Sequence, residues 1–182
     1  MRSPDELAWR LRQETLNFWF FLRPPAVGGQ AYAPLRRLPD PPSIAAALRA
    51  SPFLAELERL AAQILAHRFP LLGLEIQTGP EIAWRRDYLH GVESPKCYFR
   101  RIPYLDVRRA GDHKLIWELN RHQHLVVLAQ AWLGAGNRRY LDEAFLQLES
   151  WWRDNPFHRG INWSSALEVG FRALSWIWIY HL

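Results

Sequence analysis

A short motif in the C-terminal half combines residue types that suit sugar recognition. Gly160, Asn162 and Trp163 stand immediately before a predicted helix. An amide side chain forms hydrogen bonds with hydroxyl groups, and an indole ring stacks on the face of a pyranose. The same residues also fit a turn that leads into the helix, with Trp163 in the core. The motif leaves both interpretations open.

A second group of polar residues lies on the helix predicted for residues 112–133. At about 100° per residue, Trp117, Asn120, Arg121 and His124 fall within one arc. Beyond Leu125 this helix is apolar on nearly every side, which indicates a buried helix. Buried polar groups cost a few kcal/mol unless they have partners. The cluster therefore indicates either hydrogen bonds between helices or the floor of a cleft.

The sequence gives little indication of a metal or phosphate site. His122 and His124 would diverge by about 200° on a helix, and Glu118 with His122 lacks a third ligand. A single cysteine, Cys97, excludes a disulfide framework and a zinc site of several cysteines. There is no glycine-rich phosphate loop and no nucleophile elbow. We predict no metal.

The composition is that of one globular domain with a basic surface. The chain has 182 residues, 49% of them hydrophobic, and a formal net charge of +5. Seven basic and three acidic residues fall between Arg85 and Arg109. This excess favours an acidic partner, although a solvated basic surface explains it equally well. No recognition motif supports nucleic acid, and no apolar run supports a membrane span. The first residues lack a signal-peptide pattern, and the compartment stays open.

Hydrophobic periodicity and capping residues predict a single all-α domain. Ser3 and Pro4 mark a helix start, Asp112 and Asn137 can cap two further helices, and Ser165 with Glu168 fits a capping box. Glu168 and Arg172 are spaced for an i,i+4 ion pair. The predicted elements are an N-terminal helix over 1–22, a proline-rich strap over 24–42, helices over 44–50 and from residue 51 to about 67, an irregular segment with short strands over about 71–111, and a helical core over 112–182.

The helical core contains several sequence motifs of a known family, and they occur in the same order as in that family. Residues 117–125 read W-E-L-N-R-H-Q-H-L, and residues 160–169 read G-I-N-W-S-S-A-L-E-V. Between them lie Trp132, Tyr140 and the pair Asn155-Pro156. From about residue 113 to residue 182 the chain resembles the heparinase II/III-like polysaccharide lyases.

This resemblance implies a fold and an activity. The fold is the N-terminal part of an incomplete (α/α) toroid, built of helical hairpins around a cleft. The activity is β-elimination on uronic-acid glycans of the heparin, heparan sulfate or alginate kind, with no organic cofactor. The catalytic asparagine, tyrosine and histidine of the family match no motif here. The resemblance therefore predicts no catalytic residue and no activity for these residues alone, and it makes the rest of the toroid and a β-sandwich their partner.

The resemblance also identifies a cleft wall. Its residues would contact an acidic polysaccharide or support the residues that do. Arg121 would face acidic groups and Trp163 would stack or pack. The candidate substrate-binding residues are Asn120, Arg121, His124, Asn162, Trp163 and Glu168. The alternative function is a non-catalytic helical module that binds an acidic polysaccharide or a protein partner.

Overall fold

Helices dominate the computed structural model, which describes residues 3–25 and 38–182. This confirms the predicted all-α class, while the toroid stays a prediction. The elements are α1 (Pro4–Leu22), α2 (Pro41–Arg49), α3 (Phe53–Leu65), β1 (Arg68–Leu71), β2 (Leu74–Gln77), β3 (Arg86–Asp87), β4 (Val92–Glu93), α4 (Val107–Ala110), α5 (His113–Asn120), α6 (Gln123–Ala135), α7 (Arg138–Asp154) and α8 (Ala166–His181). Two 3-10 turns lie at Phe99–Arg101 and Ile161–Trp163.

Side-chain caps fix where the helices begin. Asp112 caps α5, Asn137 caps α7, and the Ser165 hydroxyl accepts from the Glu168 N–H at the start of α8. Each cap satisfies a backbone donor that has no partner inside its helix. These three caps lie where the sequence predicts them, whereas the cap of α2, Asp40, was not predicted.

The core is centred on α6, which packs against α2, α3, α7 and α8. Leu125 and Leu128 of α6 are fully buried against Leu57 of α3 and the indole rings of Trp84 and Trp151. Apolar burial of this kind is the dominant favourable contribution to folding. Trp151 connects this core to buried polar side chains, because its indole N–H donates to Asn120 of α5.

The prediction of one continuous helix over 112–133 is wrong. The segment forms two helices, α5 and α6, which are separated at Arg121 and His122. His122 has a left-handed backbone with φ of 60°, which no α-helix accommodates. The hydrophobic spacing continues through this break and does not reveal it. The packing of the His122 ring decides the break.

The proline-rich strap predicted over 24–42 ends two residues earlier than predicted, because α2 begins at Pro41. Pro41 and Pro42 form the first turn of α2, because Asp40 caps the helix and proline suits that turn. Residues 26–37 of the strap lie outside the described residues.

The segment predicted to be irregular with short strands contains the second of two antiparallel hairpins, in which Arg86 pairs with Glu93. The first hairpin, in which Phe69 pairs with Ile76, begins at residue 68, three residues before the predicted segment. Asp87 holds the second hairpin in place. This buried carboxylate accepts hydrogen bonds from the backbone of Leu89, His90 and Asp112, and from the His90 ring. Burial raises the pKa of Asp87, but these hydrogen bonds outweigh that effect and lower the pKa below its usual value. Asp87 thus connects the second hairpin to the start of α5.

Replacing Asp87 with alanine is expected to lower the free energy of unfolding by about 3 kcal/mol, because several buried donors lose their acceptor. Urea denaturation at neutral pH measures this loss. Asp142→Ala is the matched control, since Asp142 forms only an exposed pair with Arg138. Equal stability of the two variants would contradict the role given to Asp87.

Candidate functional site

A buried network of asparagine and tryptophan side chains joins α5, α7 and the turn before α8. Asn162 Nδ2 donates to Asn120 Oδ1 at 2.8 Å and to Asn155 Oδ1 at 2.8 Å. Trp151 Nε1 donates to Asn120 Oδ1 at 2.7 Å, and Asn120 Nδ2 donates to the Trp84 carbonyl at 2.8 Å. All three asparagines are at most 1% exposed. Their amides therefore hold the fold together and do not line an open cleft.

Arg172 of α8 lies at the centre of this network. Its guanidinium donates to the carbonyls of Asn120 at 3.0 Å and Asn162 at 2.7 Å, and it lies 4.5 Å from the Trp151 ring centroid. Burial lowers the pKa of Arg172 to about 10, while the charge of Glu168 opposes this shift. The side chain therefore stays charged at neutral pH. The predicted i,i+4 ion pair with Glu168 is wrong, because backbone carbonyls take the Arg172 donors.

Arg121 takes Glu168 as its partner instead. The two side chains form a bidentate pair with distances of 2.7 and 3.0 Å, and a second carboxylate, Glu118, lies 2.5 Å from the guanidinium. The hydrogen bonds with Glu168 raise the pKa of Arg121 against the opposing effect of burial. A guanidinium that two carboxylates already occupy has little capacity for a third.

The two histidines beyond Arg121 are buried and neutral. His122 accepts from Trp176 Nε1 at 2.9 Å and contacts the rings of Trp84 and Trp151. His124 Nε2 bonds Gln147 Oε1 at 3.0 Å. Burial lowers the pKa of His124 to about 4 and the pKa of His122 well below its usual value. Repulsion from His124 and Arg172 lowers the pKa of His122 further.

Five of the six candidate side chains thus form hydrogen bonds inside the protein. The helix break separates His124, which bonds α7, from Arg121, which bonds α8. Trp163 is different, because its side chain is half-buried and borders a groove. That groove also includes Phe157 and His158, which the sequence reasoning missed. Their only signal was their place directly after Asn155-Pro156.

The basic stretch between residues 85 and 109 divides into two parts. Arg85 is buried and paired with Asp154 at 2.5 Å and Glu93 at 2.7 Å. Four other arginines of the stretch are exposed and form no ion pair with any described residue. These exposed arginines are Arg86, Arg101, Arg108 and Arg109. They are the exposed arginines of the stretch whose charge no described carboxylate pairs with.

Within residues 3–25 and 38–182, no three histidine, cysteine, aspartate or glutamate side chains lie close enough to hold a metal ion. No helix of these same residues is long and apolar enough to cross a bilayer.

The fold and the buried network define a helical domain with a polar core under its C-terminal helices. Residues 43–182 match the family described as heparinase II/III N-terminus, and the chain belongs to that family. The match confirms the resemblance that the sequence motifs carry. It begins after α1, which therefore lies outside the matched residues. Neither a curated protein nor a solved structure matches the chain.

Proposed function

We propose that this chain is the N-terminal cleft domain of a polysaccharide lyase that cleaves uronic-acid glycans by β-elimination. The observation that carries the proposal is the family match over residues 43–182. In this reaction a base removes the proton alpha to the uronate carboxylate. The electron pair forms a carbon–carbon double bond, and the 4-linked oxygen leaves and takes up a proton. Donors around the carboxylate stabilise the carbanion, and the catalytic groups would come from another part of the protein.

The charge of the chain supports an acidic polysaccharide as the substrate. The net charge is +5, and the exposed arginines Arg101, Arg108 and Arg109 add an unpaired positive surface. Such a surface raises the local concentration of a polyanion and speeds its association. In this proposal the five internally bonded candidate residues support the site from below, and Trp163 is the one that borders it.

The outer face of α8 supports the proposal that further helices of the same protein pack there. This helix buries its polar residues Glu168, Arg172 and Ser175. It exposes Leu167 and Leu174, which are 66% and 57% exposed. An exposed apolar helix face of this kind marks a contact with another element. The remainder of a toroid is the partner that we propose.

The lyase activity is tested on the whole protein that carries this chain. Heparan sulfate, hyaluronan and alginate are incubated with it, and the ultraviolet absorbance of the unsaturated uronate product is followed. A rise with at least one glycan is expected. No rise with any of them would overturn the proposed function.

Glycan binding by the exposed arginines is tested with immobilised heparan sulfate. Replacing Arg101, Arg108 and Arg109 together with alanine is expected to weaken binding about tenfold at low salt, because three cations that attract sulfate or carboxylate groups are lost. The control replaces Arg49, Arg68 and Arg139, which are also exposed, so that the net charge falls equally. An equal loss in both variants would contradict a local binding surface.

The second candidate function is a non-catalytic module that holds an acidic polysaccharide. It is favoured by the internal bonds of Asn120, Arg121 and Glu168, which leave these groups little freedom to act on a substrate. Binding of heparan sulfate by the whole protein without any unsaturated product would identify this function.

A further inference from the structure

A groove of about 370 Å³ lies between α1 and the start of α8. Its lining combines aromatic rings with polar side chains, which is the composition of many small-ligand sites. The volume fits one or two sugar units. Its lining includes Asn17, Phe99, Arg100, Phe157, His158 and Trp163.

The aromatic rings of the groove hold one another in place. Phe157 meets Trp163 edge to face, with ring centroids 4.9 Å apart, and it stacks on the His158 ring at 4.0 Å. His158 in turn lies 5.0 Å from the Phe99 ring. Rings fixed in this way bind a flat apolar sugar face without losing much side-chain freedom.

Arg100 brings a positive charge to these rings, and a carboxylate already lies on it. The Arg100 guanidinium lies 2.5 Å from Glu14 Oε1 of α1, and both side chains are about half exposed. This pair shows that a carboxylate reaches Arg100 at the groove. Because exposed ion pairs contribute little net free energy, a second carboxylate can replace Glu14 at low cost.

Helix α1 is attached to the rest of the chain around this groove. The backbone carbonyl of Asn17 bonds His158 Nδ1 at 3.1 Å, and Phe21 contacts the rings of Tyr98 and the guanidinium of Arg159. No residue of α1 is buried, so its attachment is shallow. Helix α1 lies outside residues 43–182. The family match therefore does not include the residues that form this wall of the groove.

We propose that this groove binds one uronate unit of an acidic glycan, with Arg100 on the sugar carboxylate, and that Glu14 occupies Arg100 when no sugar is bound. The proposal rests on the proposed function for its class of ligand. The sugar ring stacks on the aromatic lining, and its carboxylate displaces that of Glu14. Loss of the Glu14 charge therefore strengthens binding, and loss of Arg100 weakens it.

The test uses the full chain and an unsulfated tetrasaccharide of alternating glucuronate and N-acetylglucosamine, titrated by calorimetry. Arg100→Ala is expected to weaken binding at least tenfold, and Arg100→Lys to weaken it about threefold. Glu14→Gln is expected to tighten binding two- to fivefold. The matched controls are Arg139→Ala and Glu149→Gln, which remove the same charges at exposed positions and leave the affinity unchanged.

A carboxyl-reduced form of the same tetrasaccharide identifies the group that Arg100 recognises. It is expected to bind weakly and equally to the wild type and to Arg100→Ala. Equal affinity of wild type and Arg100→Ala for the acidic form would overturn the groove proposal. So would weaker binding in Glu14→Gln. Circular dichroism of each variant confirms that the fold is retained.

The failure of this proposal is distinguishable from the failure of the proposed function. If the exposed arginines bind heparan sulfate but Arg100→Ala binds the tetrasaccharide normally, the groove proposal is overturned and the polysaccharide function stands. If the tetrasaccharide binds in an Arg100-dependent way but the whole protein yields no unsaturated product, the lyase function is overturned and the groove stands.

Discussion

Replacing Arg172 with methionine is expected to lower the free energy of unfolding by about 3–5 kcal/mol, the largest single effect of any side chain in the network. The guanidinium donates to two buried carbonyls, those of Asn120 and Asn162, and lies over the Trp151 ring. Methionine fills much of the volume but donates nothing. Both carbonyls would stay buried without this charged donor, and the cation–π contact would be lost.

Urea and thermal denaturation measure this effect, and a change of this size shifts the melting temperature by roughly 10 °C. Arg139→Met is the control, because Arg139 is exposed, and its stability is expected within about 0.5 kcal/mol of wild type. The loss of stability for Arg172→Lys is expected to lie between those of Arg172→Met and Arg139→Met, since one ammonium does not reproduce the fork geometry of the guanidinium. A loss below about 1 kcal/mol for Arg172→Met would contradict the central role of this side chain.

Acid is expected to destabilise the protein well above the range in which carboxylates titrate. The pKa of His124 falls from 6.5 in the unfolded chain to about 4 in the fold, because the ring is buried. Between these values the unfolded chain binds more protons, so stability decreases as the pH decreases. From pH 7.5 to pH 4.5, His124 alone accounts for about 2.5 kcal/mol. His122, whose pKa is lowered further by burial, adds to this loss.

Urea denaturation at pH 7.5, 5.5 and 4.5 measures this dependence. His124→Gln removes the titrating ring and keeps a donor near Gln147. It is expected to reduce the pH dependence of the free energy of unfolding by the contribution of one bound proton. His181→Gln, near the end of α8, is the control and is expected to keep the wild-type dependence. A wild-type stability that does not change between pH 7.5 and 4.5 would contradict the neutral, buried state of both histidines.

The local chemistry of the sequence predicts most of the helices and their first residues. Ser3, Asp112, Asn137 and Ser165 cap helices where the sequence places them, because a cap needs only one side chain and a backbone donor within three residues. The family is likewise readable from contiguous motifs, and the match over residues 43–182 confirms it. These features depend on neighbours in the chain.

The site depends on groups that are distant in the chain, and the sequence leaves it open. Arg121 and Glu168 are 47 residues apart, and His158 and Asn17 are 141 apart. The sequence identified Asn120, Arg121 and His124 as polar residues of a buried helix that need partners. Whether those partners are sugar or protein depends on burial, which periodicity does not determine for polar groups.

The sequence by itself therefore determined the all-α class, the caps and the family. Each of these features depends on residues that are close together in the chain, within one helical turn or one motif. Only the tertiary structure decided that α5 and α6 are separate, because the aromatic rings around His122 hold its backbone in a left-handed conformation. It also decided that the Arg121 guanidinium is occupied while Arg100 borders an open groove. Charge and ring type are properties of the sequence, whereas their accessibility is a property of the packing.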